Sequence, residues 1–358
     1  MSRRGRIAAV GTAAAGTVAA AALAGALVEK RLVARRRSGP DPGFGQLRGP
    51  VRPVRTDDGL RLHAEVDEPA SGQSPPREGQ PAPTLVFVHG YALNLDCWHF
   101  QRQHFRGRLR MVFYDQRSHG RSERSLPQHA TIDQLGRDLA AVLDQLVPEG
   151  PVVLVGHSMG GMTIMALAEQ HPELFGTRVV GAALISTTAG GLRTHRVLGR
   201  WLPERVMGQV TPRLVAGLAR MPGLVEGARR AGSGIGFVAT GRLAFGQDVP
   251  PSYVDFVDDM LTRTPFEVLA EFFPNFDALD KFSVLHAFER VPTTIICGDQ
   301  DRLTSIGHSR KMAQRIPGAR LVECPGAGHL VILERRDDVD AALEDLLADG
   351  SAREGRAS

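Results

Sequence analysis

The stretch Val152-Val-Leu-Val-Gly-His-Ser-Met-Gly-Gly161 decides the fold of this 358-residue chain. It starts with four apolar residues, continues as Gly-x-Ser-x-Gly, and leads into a helix-forming run at Met162–Gln170. A serine between a buried strand and a helix sits in a strained turn that projects its hydroxyl outward, and the flanking glycines avoid collisions with neighbouring backbone. The helix that follows aims amide N–H groups at any anion formed there. The pattern predicts Ser158 as a nucleophile.

Further short apolar runs predict strands that are buried on both faces. They lie at Leu85–Val88, Met111–Tyr114, Val152–Val155, Val180–Ile185 and Thr293–Cys297, and another short strand is predicted at Leu321–Cys324. An amphipathic helix follows Thr131, which forms a capping-box pattern with Gln134. Strands that alternate with helices predict an α/β fold with a doubly wound, mostly parallel sheet. Upstream, Val54–Val66 alternates around Asp58-Gly59 and predicts a β-hairpin.

A serine hydroxyl is a poor nucleophile at neutral pH, so it needs a base and a third group that orients the base. Asp301 follows the run at Thr293–Cys297, and His329 lies in a Gly-rich loop after the run at Leu321–Cys324. The order along the chain is therefore Ser, Asp, His. Asp299 lies two residues before Asp301 and is the rival acid.

With these motifs the chain resembles an α/β-hydrolase with a helical cap, over about residues 54–348. The resemblance rests on His89-Gly-Tyr91, Asp115-Gln-Arg-Ser-His-Gly-Arg-Ser122, Gly156-His-Ser-Met-Gly-Gly161, Gly298-Asp-Gln-Asp301 and Gly328-His329. It implies a serine hydrolase of the esterase or lipase type, with Ser158 as nucleophile and His329 as general base and acid. It also favours Asp301 over Asp299 as the group that orients the histidine.

The same resemblance implies an oxyanion hole formed by the backbone N–H groups of Tyr91 and Met159. Other polar residues of the motifs are interpreted as structural, namely His89, Asp115, His119 and His157. Some members of the family cleave epoxides or carbon–halogen bonds, but those enzymes carry an aspartate where this chain has Ser158. The serine therefore argues against both chemistries.

The alternation of strands and helices is interrupted between Thr187 and Val291 by about a hundred residues, where a crossover needs only about 12. This interval holds nine of the fifteen Phe, and it predicts a helical cap that folds over the serine and forms an apolar pocket. The predicted organisation is a hydrophobic segment with basic flanks at 1–37, a Gly/Pro linker at 38–53, hydrolase core at 54–187 and 292–348, the cap at 188–291 and a tail at 349–358.

Charge is distributed unevenly along the chain. Residues 1–55 carry a net charge of +9, whereas the remainder carries −5. This pattern argues against a nucleic-acid partner and favours a membrane surface at the N-terminus. Ile7–Val28 has 22 residues without a charge, enough to span a hydrocarbon layer of about 30 Å, although eleven are Ala. Basic residues flank the segment, with more positive charge after it than before it, which favours a retained anchor with a cytoplasmic catalytic domain. A cleaved export signal near Ala22-Leu-Ala24 and an Ala-rich soluble helix are the alternatives.

Three cysteines at unrelated spacings exclude a disulfide framework and a zinc ligand set, and the sequence predicts no metal and no cofactor. Gly232-Ser-Gly-Ile-Gly236 follows no predicted strand, which argues against a dinucleotide site. The expected activity is hydrolysis of carboxylic esters of small apolar substrates through an acyl-enzyme. Perhydrolase or haloperoxidase, lactonase, carbon–carbon hydrolase and acyltransferase activities remain open, as does a non-catalytic role as an anchored binding or scaffold protein. The oligomeric state is not predicted.

Overall fold

The computed structural model describes residues 42–70, 82–192 and 240–357, with side chains up to residue 349. The predicted hydrophobic segment at 7–28, the Gly232–Gly236 pattern and the first half of the predicted cap lie outside these ranges. Within them, no helix has the length and apolar character needed to cross a membrane.

The described residues form the strands β1 (Val54–Arg55), β2 (Arg61–Leu62), β3 (Ala64–Asp67), β4 (Thr84–Val88), β5 (Met111–Tyr114), β6 (Val152–His157), β7 (Val179–Ile185), β8 (Thr293–Gly298) and β9 (Arg320–Cys324). Strands β3 to β9 form the central seven-stranded sheet, in the order β3-β5-β4-β6-β7-β8-β9. Only β3 runs antiparallel to its neighbour within this sheet. The predicted mostly parallel α/β fold is confirmed, and β1 and β2 form the predicted hairpin.

Helices cover both faces of this sheet. They are α1 (His99–Phe105), α2 (Ile132–Leu146), α3 (Met159–Gln170), α4 (Pro251–Arg263), α5 (Phe266–Ala278), α6 (Ile306–Ala313), α7 (Val331–Glu334) and α8 (Arg336–Ala357). Alternate residues of β4 enter different cores: Leu85 and Phe87 pack with α1, α7 and α8, whereas Val86 and Val88 pack with α2, α3 and α6. Because both faces are buried, the inner strands β4 to β7 are almost continuously apolar, whereas the edge strands β3 and β9 carry charged residues.

The described part of the predicted linker, 42–53, is packed against the core. The backbone N–H of Gly49 donates to Glu65 Oε2 at 3.0 Å, and a Cβ at Gly49 would lie 2.2 Å from Asp67 Oδ1. Buried Arg102 pairs with both carboxylates at 2.7 Å. The Phe44 ring stacks on the ring of Phe256 in helix α4 of the insertion, with ring centroids 4.3 Å apart. These contacts make the segment an added layer of the domain, which differs from a free linker.

The described part of the insertion consists of helical residues 240–244 and of α4 and α5. Its two ends meet at the base, where Gly190 forms an antiparallel bridge with Asp280 and the Lys281 N–H donates to Ala189 at 2.6 Å. The Lys281 ammonium pairs with Asp133 and Glu169 on the two helices beneath. The insertion is thereby attached to α2 and α3.

Some of the described Phe residues of the insertion pack with the neighbouring helix α3, and others pack in the core of the hydrolase domain. Phe272, Phe273 and Phe276 of α5 belong to an apolar cluster with residues of α3. Phe282 and Phe288 lie in the 3-10 segment Phe282–Arg290 and pack with the α2/α3 side of the core, and Phe245 packs in the core on the other face. Phe245, Phe282 and Phe288 therefore complete the hydrolase core and do not add to the apolar surface of a lid.

Candidate active site

The predicted site residues meet at one edge of the sheet because the strands that precede them are parallel. Val88 is paired with Gly156, and Gly298 with Cys324, at the carboxyl ends of four strands. The loops that follow carry Tyr91, Ser158, Asp301 and His329. A crevice at the carboxyl edge is where open α/β sheets bind ligands.

Ser158 occupies the sharp turn between β6 and α3. Its φ of 53° and ψ of −117° are strained values for a residue with a side chain. The Ser158 N–H donates to Ile185 O at 2.9 Å, which ties the turn to β7. A Cβ on Gly160 would lie 2.0 Å from Val88 O, so only glycine permits this approach of α3 to β4. The turn holds the serine hydroxyl at the sheet edge.

His329 lies between Ser158 and Asp301. Its Nε2 is 3.0 Å from Ser158 Oγ, and its Nδ1 is 2.9 Å from Asp301 Oδ2. The three residues are 6, 9 and 5% exposed, respectively. With Nδ1–H donating to the carboxylate, Nε2 is free to accept the serine proton. This geometry can raise the nucleophilicity of Ser158 by removing its proton as it attacks.

Asp301 is held in its ionised form by its own turn. Its Oδ1 accepts from the N–H groups of Leu303 and Thr304 at 2.8 and 2.9 Å, and its Oδ2 accepts from the Thr304 hydroxyl at 2.8 Å. Burial would raise the pKa of Asp301, but the charge and hydrogen bond of His329 and the bonds from Thr304 lower it to about 2. The carboxylate therefore remains an acceptor for the histidine.

The rival carboxylate has a different partner. Asp299 Oδ1 accepts from the N–H of Gly326 at 2.8 Å, and so Asp299 braces the turn after β9. Thr304 was not singled out from the sequence, although the spacing Asp-x-x-Thr is typical of a side chain that caps its own turn. The structure thus brings Asp301 to His329 and places Asp299 on the neighbouring loop.

His157, which is interpreted as structural from the sequence, contacts the backbone of His329. Its Nε2 donates to the backbone carbonyl of His329 at 2.9 Å. Burial and the charge of His329 lower the pKa of His157 to about 3, which keeps its ring neutral. No pattern in the sequence signals this contact, because it joins residues that are 172 positions apart.

The backbone N–H groups of Tyr91 and Met159 are both near the nucleophile. Met159 follows Ser158 directly as the first residue of α3, and a Cβ on Gly90 would lie 3.1 Å from Ser158 Cβ. In the part of the chain that the structure describes, neither N–H has a backbone acceptor. That these two N–H groups form an oxyanion hole stays a prediction.

The remaining polar residues of the motifs fix the loops around the site. His89 donates from Nδ1 to Gly90 O at 2.7 Å and accepts from Gln116 N at 2.9 Å. Asp115 accepts from two backbone N–H groups at 2.7 and 2.8 Å, and burial raises its pKa to about 6. Burial lowers the pKa of His119 to about 4. Their partners are backbone groups of the two segments that follow β4 and β5, which agrees with their structural interpretation.

Helix α5 forms an apolar wall beside the nucleophile. Its residues pack with the start of α3 in a cluster that contains Met159, Met162, Val268, Phe272 and Phe276. The Tyr91 hydroxyl donates to Leu269 O at 2.5 Å, and the Thr264 hydroxyl donates to Ala92 O at 3.1 Å. These bonds fasten the insertion to the loop beside Ser158. Across residues 42–70, 82–192 and 240–357, no group of His, Cys, Asp or Glu is arranged to hold a metal ion.

Comparison with known proteins places this geometry in context. The family model described as alpha/beta hydrolase fold matches residues 83–336. The chain is 26% identical over 267 residues to 3-oxoadipate enol-lactonase 2 of Acinetobacter baylyi, across 73% of this chain and 87% of that protein. It is 27% identical over 273 residues to the sn-1-specific diacylglycerol lipase of Mus musculus, across 74 and 81%. The crystal structure of the enol-lactonase from Burkholderia xenovorans LB400 has a similar fold, with a TM-score of 0.63 and 24% identity over 83% of this chain and 100% of that one.

Proposed function

The chain belongs to the alpha/beta hydrolase family, and from this premise we propose that it is a serine hydrolase that cleaves carboxylic esters of apolar substrates. The observation that carries the proposal is the continuous hydrogen-bonded chain from Ser158 Oγ through the His329 imidazole to the Asp301 carboxylate, with distances of 3.0 and 2.9 Å. A chain of this kind activates a serine without any cofactor.

In the proposed reaction, His329 Nε2 takes the proton of Ser158 as its oxygen attacks the ester carbonyl. The N–H groups of Tyr91 and Met159 stabilise the oxyanion, and loss of one such donor typically costs about 10²–10³-fold in rate. His329 returns the proton to the alcohol as the carbon–oxygen bond breaks. Water, deprotonated by the same imidazole, then attacks the acyl-enzyme and releases the acid and the serine.

The apolar wall beside Met159 supports an apolar substrate. Val268 and Phe272 are completely buried in one cluster with Met159, so the surroundings of the Ser158 turn on this side are hydrocarbon, which favours apolar over charged substrate groups. The similarity to a protein named as a diacylglycerol lipase is consistent with this substrate class.

Lactone hydrolysis is the second candidate. A relative named as an enol-lactonase is matched over 87% of its length. Because a lactone is an internal ester, the same serine, base and oxyanion donors would open it, and the alcohol would remain attached to the acyl group. The two candidates differ in the shape of the substrate and not in the steps of the reaction.

We also propose that residues 7–28 tether the enzyme to a membrane, with the catalytic domain on the cytoplasmic side. The uncharged stretch and the basic residues around it support this, and export of the protein is the alternative. Fractionation of cells that express the full chain, together with N-terminal sequencing, tests both. A protein that lacks residues 1–24, or that leaves membranes at low salt, would contradict the tether.

The test of the proposed activity is Ser158→Ala, assayed on p-nitrophenyl esters from acetate to decanoate and on a lactone series. The variant should lose about 10⁶-fold in kcat while its thermal unfolding is unchanged, because only the nucleophile is removed. Ser283→Ala, which changes an exposed serine, is the matched control and should keep full activity.

Labelling with a fluorophosphonate gives an independent measurement of the same proposal. The wild type and Ser283→Ala should be labelled, and Ser158→Ala should not. Turnover or labelling that persists in Ser158→Ala would refute the assignment of the nucleophile. A preference for acetate over medium-chain esters would refute the apolar substrate.

A further inference from the structure

The insertion packs against the loop that carries His329, and each of the two segments has a glycine at the contact, Gly246 on the insertion and Gly328 on the loop. A Cβ on Gly246 would lie 2.4 Å from Gly326 O and 2.5 Å from Gly328 N. A Cβ on Gly328 would lie 2.4 Å from Gly246 N. The atoms in the way are backbone atoms, which cannot swing aside as the end of a side chain can. The two segments are therefore in direct backbone contact at the residue before His329.

Hydrogen bonds fasten this contact on both sides of His329. The Leu330 N–H donates directly to Ala244 O at 2.9 Å. The Gly328 N–H donates to Glu334 Oε1 at 2.7 Å, and the Gly246 N–H donates to Glu334 Oε2 at 3.0 Å. One carboxylate thus joins the insertion to the histidine loop, and hydrogen bonds to an ionised acceptor are about twice as strong as neutral ones.

Glu334 is suited to this task by its position. It lies at the end of α7, whose Val331, Ile332 and Leu333 side chains are buried in the core, so its backbone is firmly held. Burial raises the pKa of Glu334, and its bonds from Gly328 and Gly246 oppose that rise. The catalytic steps given above do not use this carboxylate.

We propose that Glu334 and the segment 244–246 form a clip that positions His329, so that the insertion sets the placement of the base. The inference rests on the proposed function, in which His329 is that base. Glu334 is a positioning residue, since it acts through the backbone on either side of the imidazole. A base displaced by about 1 Å can cost about 10²-fold in rate.

The primary test is Glu334→Gln in the full chain. The carboxamide keeps the size of the side chain but presents an NH₂ group to one of the two N–H donors, so one bond is lost. We expect kcat on a p-nitrophenyl ester to fall about 10- to 100-fold, with KM changed less than about threefold. Hydrogen exchange of residues 326–331 should become about tenfold faster, while exchange of the sheet strands and the melting temperature stay near the wild type.

Glu323→Gln is the matched control. Glu323 lies on β9 just before the same loop, but its carboxylate pairs with the exposed Arg310 at 2.7 Å. This variant should keep kcat within about twofold and leave loop exchange unchanged, because exposed ion pairs contribute little.

Gly246→Ala breaks the clip from the side of the insertion. Its methyl group cannot fit against Gly326 and Gly328, so it should reproduce the fall in kcat and the faster exchange of residues 326–331. If both changes act through one clip, the loss in the double variant with Glu334→Gln should be clearly smaller than the product of the two single losses. Multiplicative losses would overturn the common clip.

Two further results would overturn the proposal: unchanged loop exchange in Glu334→Gln, or exchange that rises equally in the loop and the sheet, since that is general destabilisation. A wild type without ester hydrolysis or labelling of Ser158 would instead refute the proposed function. In that case, hydrogen exchange of residues 326–331 alone tests the clip, because this measurement requires no catalytic turnover.

Discussion

The turn that carries Ser158 and the loop that carries His329 lie side by side, but they are held in different ways. The serine turn is held mainly by backbone geometry, with a strained Ser158 and a contact between Gly160 and β4 that only glycine permits. The histidine loop is held by Glu334 of the adjoining helix α7 and by groups from elsewhere in the chain, which are His157, Asp301 and residues 244–246.

This difference separates two kinds of mutational sensitivity. A side chain added at Gly160 in the serine turn should disturb the fold itself, because it would collide with the backbone of β4, whereas Ser158→Ala leaves the backbone of the turn unchanged. A change around the histidine loop should leave the fold standing and displace only the base. In the proposed mechanism, the nucleophile is therefore tied to the stability of the domain, whereas the inferred clip would let the insertion adjust the base.

The largest effect is expected for Asp301→Asn on the histidine side. The amide places an NH₂ group or a neutral oxygen opposite His329 Nδ1, which disfavours the required tautomer, and kcat should fall by about 10⁴-fold. Steady-state kinetics on a p-nitrophenyl ester measures this. Asp299→Asn is the control, and it should stay within about threefold because an asparagine oxygen can still accept from Gly326. Equal losses in the two variants would contradict the assignment of the acid.

On the serine side, Gly160→Ala should destabilise the protein by about 3 kcal/mol, because the added methyl group would lie 2.0 Å from Val88 O. Urea unfolding monitored by circular dichroism measures the free energy of unfolding. The control is Gly307→Ala in α6, where the nearest heavy atom is 3.8 Å away. Its stability should stay within about 1 kcal/mol of the wild type. A stable, well-folded Gly160→Ala would show that the turn is not tied to the fold.

The smallest effect concerns the pH dependence of stability. The pKa of Asp301 is lowered from 3.8 to about 2, so its carboxylate stabilises the folded state above pH 3.8, and this contribution is lost as the pH falls toward 2. Wild type and Asp301→Asn should therefore differ by roughly 2 kcal/mol from this source at pH 6, and the difference should narrow by pH 3. Urea unfolding at the two pH values measures the difference. A gap that is constant with pH would mean that the carboxyl is not stabilised in its charged form.

Much of the fold and of the site follows from local patterns in the sequence. The strand runs, the hairpin around Asp58-Gly59 and the turn at Ser158 each depend on residues close together in the chain. Parallel strands place the residues that follow them at one edge, so the meeting of Ser158, Asp301 and His329 could be predicted before any coordinates. The packing of residues 42–53 against the core could not be predicted in this way, because their Gly/Pro-rich composition is equally typical of a linker.

The sequence by itself determined the α/β fold and the location of the nucleophile, because backbone conformation and burial on both faces of a strand are encoded within about ten residues. Only the tertiary structure decided which of the described Phe residues complete the core, and that Glu334 ties the insertion to the histidine loop. These contacts join segments that are far apart in the chain. Their partners are selected by packing in three dimensions, for which a linear pattern carries no signal.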